Sequence, residues 1–335
     1  MGPAMPAPLA GRRVLDFGAL CAQRPHALAA SMAAKLCGAY GAEVVRPLPS
    51  DGVEPFASLP PLLPDGASAL DRFLNVGKRP GPMTGRFDAA IGDSAALMAH
   101  AAGVPIKARL SVFGPDWPDP PMTELGLAAL SGLLGIVGEA PPAPPSRLAG
   151  HQVAYSAGLA TCTALLAALR AGGEEMVDVS LLDVTAWLNW KVAAGVMVMG
   201  SAPVRGSAKL TWFTVPARDG HVALVYQDKD WPPLRDLIGD PRLIEERFAT
   251  SAARGANRLA LLEVIGPWFA ARTRAEITAA AQAQRVPIGP VKWPAELLED
   301  AQYRARAFLA ADGTPALPVS WDGQRLAREV EDAAT

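Results

Sequence analysis

Residues 13–46 read RVLDFGALCAQRPHALAASMAAKLCGAYGAEVVR, and this stretch sets the fold class. The apolar run 13–17 is typical of a short buried strand, the alanine-rich stretch over about 26–40 predicts a helix, and 42–45 predicts a second strand. A strand, a helix and a strand in this order form a βαβ unit, which implies two parallel strands joined by a right-handed crossover.

The same alternation continues through the next part of the chain. Apolar runs predict further strands at 87–91, 108–112 and 175–180, and helical stretches lie at 94–102 and 152–169. We therefore predict an α/β protein built on a Rossmann-like, doubly wound parallel sheet. The apolar segment 125–137 predicts one buried helix between these elements.

The pattern changes after residue 200. Residues 212–215 and 221–226 flank an Asp219-Gly220 turn, which predicts a β-hairpin, and helical stretches follow it. Thr273 with Glu276 predicts a capping box. We therefore expect 1–200 to form a large Rossmann-like domain and 201–305 a smaller α+β domain. Segment 306–335 then returns to the large domain, with 317–321 as a candidate last strand.

Composition limits the possible functions. The 335 residues carry a formal net charge of -2, so binding to nucleic acid is not expected. With 50% hydrophobic residues the chain is rich enough for a sizeable core. Its three cysteines lack disulfide-framework spacing, and the N-terminus lacks a signal-peptide pattern, which together favour a cytoplasmic protein. The uncharged stretch 148–169 contains several polar residues, which favours a buried helix over a membrane span.

No common catalytic or metal motif is present. The sequence lacks GxGxxG after its first strand, lacks GxSxG, and scatters its four histidines, so neither a dinucleotide nor a metal is expected. One helix face carries His151, Tyr155, Gly158 and Cys162. This face is explained either by close packing around Gly158 or by a polar pocket at the helix start, where the helix dipole favours anions.

Several stretches resemble the family III CoA-transferases, the CaiB/BaiF group that also includes α-methylacyl-CoA racemases and carnitine-pathway enzymes. The resemblance follows the chain in order and covers nearly all of it. It is carried by PLAGRRVLDF (8–17), YGAEVVR (40–46), NVGKR (75–79), LSGLLGIVGE (130–139) and VDVSLLD (177–183).

The resemblance implies a Rossmann-like large domain, a small domain and two interlocked chains. It also implies acyl-CoA or CoA as a substrate, no metal, and a carboxylate at the start of the long helix that attacks the thioester. That reaction proceeds through a mixed anhydride and an enzyme–CoA thioester. Arg46, Lys78 and Arg79 stand where the family has positive groups near CoA, and Asp93 stands where it has an Asn. Solvated surface charge for the three cations and a helix N-cap for Asp93 are the alternatives.

The resemblance fails at the nucleophile. Alignment of Ala157-Gly158 with the family pattern puts Ala154 at the position of the catalytic Asp, and a methyl group cannot form an anhydride. The nearest carboxylates in sequence are Glu139 and Glu174. His151 and Tyr155 are the acid/base-capable side chains at the equivalent site, and they are the candidate catalytic residues.

Three functions therefore remain open. The first is a CoA-dependent enzyme with altered or lost transferase chemistry. The second is a non-catalytic subunit that pairs with an Asp-bearing paralogue. The third is a repurposed lyase, isomerase or hydratase pocket that does not use CoA and works through His151.

Overall fold

The computed structural model describes residues 7–201, 205, 212–310 and 313–320. These residues form two compact units. The described residues within 140–142 and 204–306 belong to the second unit, and the other described residues belong to the first.

The first unit alternates strands and helices. Its elements are β1 (Arg13–Asp16), α1 (Arg24–Ala39), β2 (Glu43–Arg46), α2 (Ala69–Asn75), β3 (Arg79–Pro80), β4 (Ala89–Asp93), α3 (Ser94–His100), β5 (Ile106–Ser111), α4 (Glu124–Leu130), α5 (Gln152–Ala171), β6 (Glu175–Ser180), α6 (Leu181–Leu188) and α7 (Trp190–Met199).

The six strands of this unit form one parallel sheet in the order β3-β2-β1-β4-β5-β6. The chain moves outward from β1 to β2 and β3, and then returns to the other side of β1 at β4. The strand order therefore reverses between β1 and β4, and the carboxyl ends of these two strands form a topological switch point, where open α/β sheets bind ligands. The doubly wound parallel sheet predicted from the sequence is confirmed.

Helices α1 and α5 pack together in the main core of the first unit, which also contains apolar residues of the sheet. The contact is close at Gly158, where a Cβ atom would lie 2.7 Å from Met32 Cβ and 2.8 Å from the Ala29 carbonyl oxygen. The thiols of Cys37 and Cys162 meet in the same packing, 4.0 Å apart. Among the described helices, α5 is long and apolar enough for a membrane span, but its buried face is that of a core helix.

The second unit is a small α+β structure with its own core. A three-stranded antiparallel sheet has the order β7 (Trp212–Ala217), β8 (Gly220–Val225), β9 (Ile288–Pro290). Thr273 and Glu276 form the predicted capping box at the start of α11 (Arg274–Ala283). The elements of this unit are β7 (Trp212–Ala217), β8 (Gly220–Val225), α8 (Trp231–Ile238), α9 (Ser251–Ala256), α10 (Arg258–Ala270), α11 (Arg274–Ala283), β9 (Ile288–Pro290) and α12 (Ala301–Ala305).

Two local predictions are wrong. Segment 125–137 is not one helix, because α4 ends at Leu130 and Gly132 adopts a left-handed conformation (φ 78°) before a short 3-10 turn begins. Residues 317–320 form no strand, although Leu317 packs against the core of the first unit; Trp321 lies outside the described residues. Proline at 318 removes a backbone donor that a sheet ladder needs.

Candidate active site

A carboxylate lies at the N-terminus of α5, but it belongs to another helix. Ala154 is in the first turn of α5 and is fully buried. The first amides of a helix have no acceptor within the helix, and the N–H of Ala154 donates to Oε1 of Glu124 at 2.9 Å. A carboxylate oxygen from α4 therefore contacts the backbone of Ala154, the residue at which the sequence resemblance implies the nucleophile.

Glu124 is held there by the start of α4. It is the first residue of that helix, directly after Thr123, whose hydroxyl caps the helix by accepting from the Gly126 amide at 3.1 Å. The buried side chain of Leu127 anchors α4 in the core. These contacts fix the helix start and aim the carboxylate at the first turn of α5.

The second oxygen of the Glu124 carboxylate contacts His151. Nδ1 of His151 lies 2.5 Å from Oε2 of Glu124, within hydrogen-bond distance. The side chains of Glu124 and His151 remain 21% and 25% exposed, so a substrate can reach both. The arrangement is a carboxylate with one oxygen on a helix amide and the other on an imidazole.

Tyr155 lies one turn further along α5. Its ring centroid is 6.0 Å from that of His151 and 5.9 Å from that of Phe73. Burial, assisted by the negative charge of Glu124, raises the pKa of Tyr155, so the phenol stays protonated at neutral pH. The structure thus brings both candidate catalytic residues to one site, but their catalytic roles stay predictions.

The sequence interpretation missed Glu124. The two carboxylates nearest to Ala154 in sequence, Glu139 and Glu174, are both exposed, and Glu174 follows the opposite end of α5. Glu124 is 30 residues before Ala154. An acidic residue just after a threonine is an ordinary helix start, so nothing local marked it as functional.

Two of the predicted CoA contacts lie in a buried ionic network. Nη1 of Arg46 donates to Asp16 Oδ2 at 2.9 Å and to the Ser31 hydroxyl at 2.9 Å, and Nη2 pairs with Glu54 at 2.6 Å. Nζ of Lys78 bonds the same Asp16 oxygen at 2.6 Å. The side chains of Arg46 and Lys78 are 3% and 2% exposed, so neither is a solvated surface charge.

The pKa values in this network follow from burial and charge pairing. Burial alone raises the pKa of Asp16, but the charges of Lys78 and Arg46 and the hydrogen bonds outweigh it and lower the pKa overall. Burial lowers the pKa of Lys78 to about 8 against the opposing attraction of Asp16. Both cations already have internal counterions, and their assignment to CoA phosphates stays a prediction.

The other two predicted CoA contacts, Arg79 and Asp93, lie outside the ionic network of Arg46 and Lys78. Arg79 has a side chain that is 76% exposed, and it forms an ion pair with Glu43 at 3.2 Å. Asp93 caps α3 by accepting from the Ala96 amide at 2.9 Å, and its other oxygen accepts from the Ala22 amide at 2.8 Å. The N-cap alternative for Asp93 is confirmed, and a contact of Asp93 with CoA stays a prediction.

The switch point also buries a histidine. His26 is fully buried in the first turn of α1, and within the described ranges neither of its ring nitrogens has a hydrogen-bond partner. Oδ1 of Asp119 lies 3.6 Å from Nε2. Burial lowers the pKa of His26, so its ring is neutral at pH 7. No cluster of three or more potential metal ligands occurs in the described part of the chain.

Comparison with known proteins gives one family. A model of CoA-transferase family III matches residues 105–329, which is more than half of the chain. Succinate–glutarate CoA-transferase of Agrobacterium fabrum is 30% identical over 161 residues, which are 45% of this chain and 40% of that protein. Formyl-CoA:oxalate CoA-transferase of Streptomyces avermitilis is 30% identical over 90 residues, which are 22% of its length. The matches therefore span less than half of these relatives.

Solved structures agree over a longer range. A CaiB/BaiF family protein from Brucella suis superposes with a TM-score of 0.80 at 22% identity, covering 96% of this chain and 94% of that one. Rv3272 from Mycobacterium tuberculosis gives a TM-score of 0.75 at 22% identity, covering 96% and 95%. At this level of identity the likeness establishes the shared fold.

Proposed function

Because the chain belongs to CoA-transferase family III, we propose that it transfers CoA from an acyl-CoA thioester to a carboxylic acid, with Glu124 as the attacking carboxylate. The proposal depends on one observation, the Glu124 carboxylate bonded to the Ala154 amide at the start of α5. This chemistry differs from the family pattern in one respect: the attacking carboxylate is on α4, and the family position on α5 is Ala154.

The first step uses the oxygen that faces His151. An ionised carboxylate has about four acceptor sites, so the bonds to His151 and Ala154 leave lone pairs free for attack. Oε2 adds to the thioester carbonyl carbon, the C–S bond breaks, and CoA leaves as a thiolate. The product is a mixed anhydride between Glu124 and the acyl group.

The later steps use the Ala154 amide. When the CoA thiolate attacks the Glu124 carbonyl carbon, negative charge develops on Oε1, and the Ala154 N–H already points at that oxygen. The acyl group leaves as a carboxylate and Glu124 becomes a CoA thioester. An acceptor carboxylate attacks the carbonyl carbon of this thioester, the C–S bond breaks, and the CoA thiolate leaves a second mixed anhydride. The thiolate then attacks the acyl carbon of the acceptor, which forms the new acyl-CoA and releases the Glu124 carboxylate. No proton is consumed overall, so His151 acts as a positioning residue for Oε2.

Short-chain acids are the first substrates to examine. The Agrobacterium relative is named for succinate and glutarate, and the Streptomyces relative for formyl-CoA and oxalate. We extend the class of small carboxylic acids to this chain as part of the proposal, with succinyl-CoA as donor and glutarate as acceptor.

A covalent intermediate on Glu124 tests the proposal directly. We expect protein incubated with succinyl-CoA and then with hydroxylamine to carry a γ-glutamyl hydroxamate at Glu124, because both the anhydride and the thioester are cleaved by this amine. Peptide mass spectrometry locates the label, and the exposed Glu139 serves as the internal control. Turnover without any adduct on Glu124, or with the adduct on another carboxylate, would contradict this mechanism.

We also propose that the working form is a homodimer. The alternative of a paralogous partner was motivated by the missing nucleophile, and Glu124 supplies a carboxylate within the chain. The segment around α7 exposes large apolar side chains, among them Trp187 (75%), Met197 (87%) and Val198 (86%), and such patches are typical of interfaces. We expect light scattering of the purified chain to give the mass of two copies; a monomer at micromolar concentration would exclude the homodimer.

A further inference from the structure

Helices α1 and α5 bring two of the three cysteines of the chain together. The Sγ atoms of Cys37 and Cys162 lie 4.0 Å apart, and both residues are buried. Cys37 belongs to the last turn of α1, and Cys162 lies in the middle of α5. Neither thiol takes part in the proposed transfer reaction. The pair is therefore a reactive feature of the core that the proposed function does not use.

The two helices approach each other closely enough for a covalent link. One turn before Cys162, Gly158 lies against α1, where an added Cβ atom would be 2.7 Å from Met32 Cβ and 2.8 Å from the Ala29 carbonyl oxygen. The sulfurs of a disulfide are about 2.05 Å apart. From their separation of 4.0 Å, the two sulfurs have to move by roughly 1 Å each, which small rotations about the Cα–Cβ bonds supply.

The contact between the thiols makes one of them the better nucleophile. With Cys37 as the donor, its hydrogen bond to the Cys162 sulfur lowers the pKa of Cys162 against the opposing effect of burial. The same bond, together with burial, raises the pKa of Cys37 well above its usual value. The thiolate is the reactive form of a cysteine. Cys162 is therefore the attacking sulfur, and Cys37 is the sulfur that closes the disulfide.

The end of α1 gives a small oxidant a route to the pair. Chain segments at helix ends open more readily than the centre of a core, and Cys37 is two residues before the last residue of α1. Tyr40, the residue after α1, is half-buried. Burial, and then the charges of the Cys162 and Cys37 sulfurs, raise the pKa of Tyr40, so its phenol is close to both. Opening of this last turn uncovers the thiols without unfolding the sheet.

We propose that Cys37 and Cys162 form a redox site, which a peroxide converts to a disulfide that links α1 to α5. The Cys162 thiolate attacks one oxygen of hydrogen peroxide, the O–O bond breaks, and the released hydroxide takes up the thiol proton as water. The Cys37 sulfur then attacks the sulfur of the Cys162 sulfenic acid, the S–O bond breaks, and hydroxide leaves with the Cys37 proton as a second water. The two thiols lose two electrons in total, and the peroxide gains them.

The disulfide stabilises the folded state because it restricts the unfolded chain. It links residues that are 125 positions apart, and a crosslink over a long segment removes much loop-closure entropy from the unfolded state. Helix α5 carries Ala154 in its first turn, so the oxidised form also fixes the helix of the candidate active site to α1. No CoA or carboxylic acid takes part in this chemistry, which is therefore independent of the proposed function.

Peroxide treatment of the folded chain tests the redox site. After overnight treatment with millimolar hydrogen peroxide, we expect mass spectrometry of unreduced peptides to find Cys37 linked to Cys162, with Cys21 outside the disulfide. The chain unfolded in urea is the comparison. There the shortest segment closes most readily, so Cys21 should pair with Cys37 instead. A change of partner on folding would show that the tertiary contact selects the disulfide.

Thermal melting measures the effect of the crosslink. The oxidised chain should melt about 5 °C or more above the reduced chain, and dithiothreitol should reverse the shift. The control variant Cys21→Ala should keep this shift. Cys37→Ala and Cys162→Ala should each melt at the same temperature with and without peroxide. Because each variant is compared with its own reduced form, any loss of stability from the substitution itself cancels.

Two results of the peptide analysis would overturn the redox site. They are Cys37 and Cys162 that stay unlinked after peroxide treatment of the folded chain, and a link between them that forms only in urea. A linked chain that melts at the temperature of the reduced chain would overturn the stabilising effect of the crosslink. A shift of the same size in Cys37→Ala would assign the stabilisation to another oxidised residue and would also contradict the proposal.

Discussion

Glu124→Gln is expected to lower kcat/KM for CoA transfer by about 10³-fold or more, which corresponds to about 4 kcal/mol of transition-state stabilisation. Glutamine keeps the size of the side chain and a carbonyl oxygen that accepts from the Ala154 amide. It lacks a nucleophilic oxygen that can form an anhydride. Steady-state kinetics with succinyl-CoA and glutarate measure the loss, and Glu139→Gln, an exposed glutamate outside the site, should keep wild-type activity.

Two further variants make this result specific. Glu124→Asp retains a carboxylate but withdraws it by about one carbon–carbon bond, ~1.5 Å, so activity should fall less than in Glu124→Gln. His151→Ala removes only the partner of Oε2, so we expect a loss of about 10–100-fold, as for a positioning group. If His151→Ala abolished turnover and Glu124→Gln did not, the repurposed pocket working through His151 would be the better interpretation.

Asp16→Asn is expected to lower the free energy of unfolding by about 3–5 kcal/mol. Asp16 is fully buried and is the shared counterion of Arg46 and Lys78. Asparagine leaves Lys78 without its counterion inside the protein, and it leaves Glu54 as the remaining counterion of Arg46. Since folded domains are stable by only about 5–15 kcal/mol, urea denaturation should show a large shift of the midpoint.

The control for this prediction is an exposed ion pair. Asp65 pairs with Arg72 at 2.8 Å, and both side chains are about half exposed, so Asp65→Asn should leave the midpoint unchanged within error. A double variant, Asp16→Asn with Lys78→Met, should be less destabilised than the sum of its two single variants, because the two residues share one interaction. Wild-type stability of Asp16→Asn would show that the network is not a stabilising unit.

The same variants bear on the predicted CoA contacts. If Arg46 and Lys78 mainly neutralise Asp16 and Glu54, Asp16→Asn changes stability without weakening CoA binding. Arg79 is the contrasting case, because its exposed guanidinium is available to a phosphate at little structural cost. The family pattern placed these three cations in one functional class, but burial and partners divide them.

Local patterns were sufficient for the architecture of the first unit. The apolar runs that predicted strands at 13–17, 42–45 and 87–91 correspond to β1, β2 and β4, and their alternation with helices implied the parallel sheet. This succeeded because buried strands and helices repeat their apolar residues at short, different periods. The prediction failed at 125–137, where a left-handed glycine ends a helix inside a continuously apolar stretch.

The sequence by itself determined the fold class and the family, because both depend on residues that are adjacent or regularly spaced along the chain. That Ala154 stands at the position of the family's nucleophile stays an interpretation of the resemblance. Only the tertiary structure brought Glu124 to the Ala154 amide, across 30 residues of sequence, and joined Arg46, Lys78 and Asp16 in one buried network. The physical reason is that hydrophobic periodicity is a property of residues within one helix or strand. A carboxylate can bond a free helix amide or a buried cation of another element only after the elements have packed together.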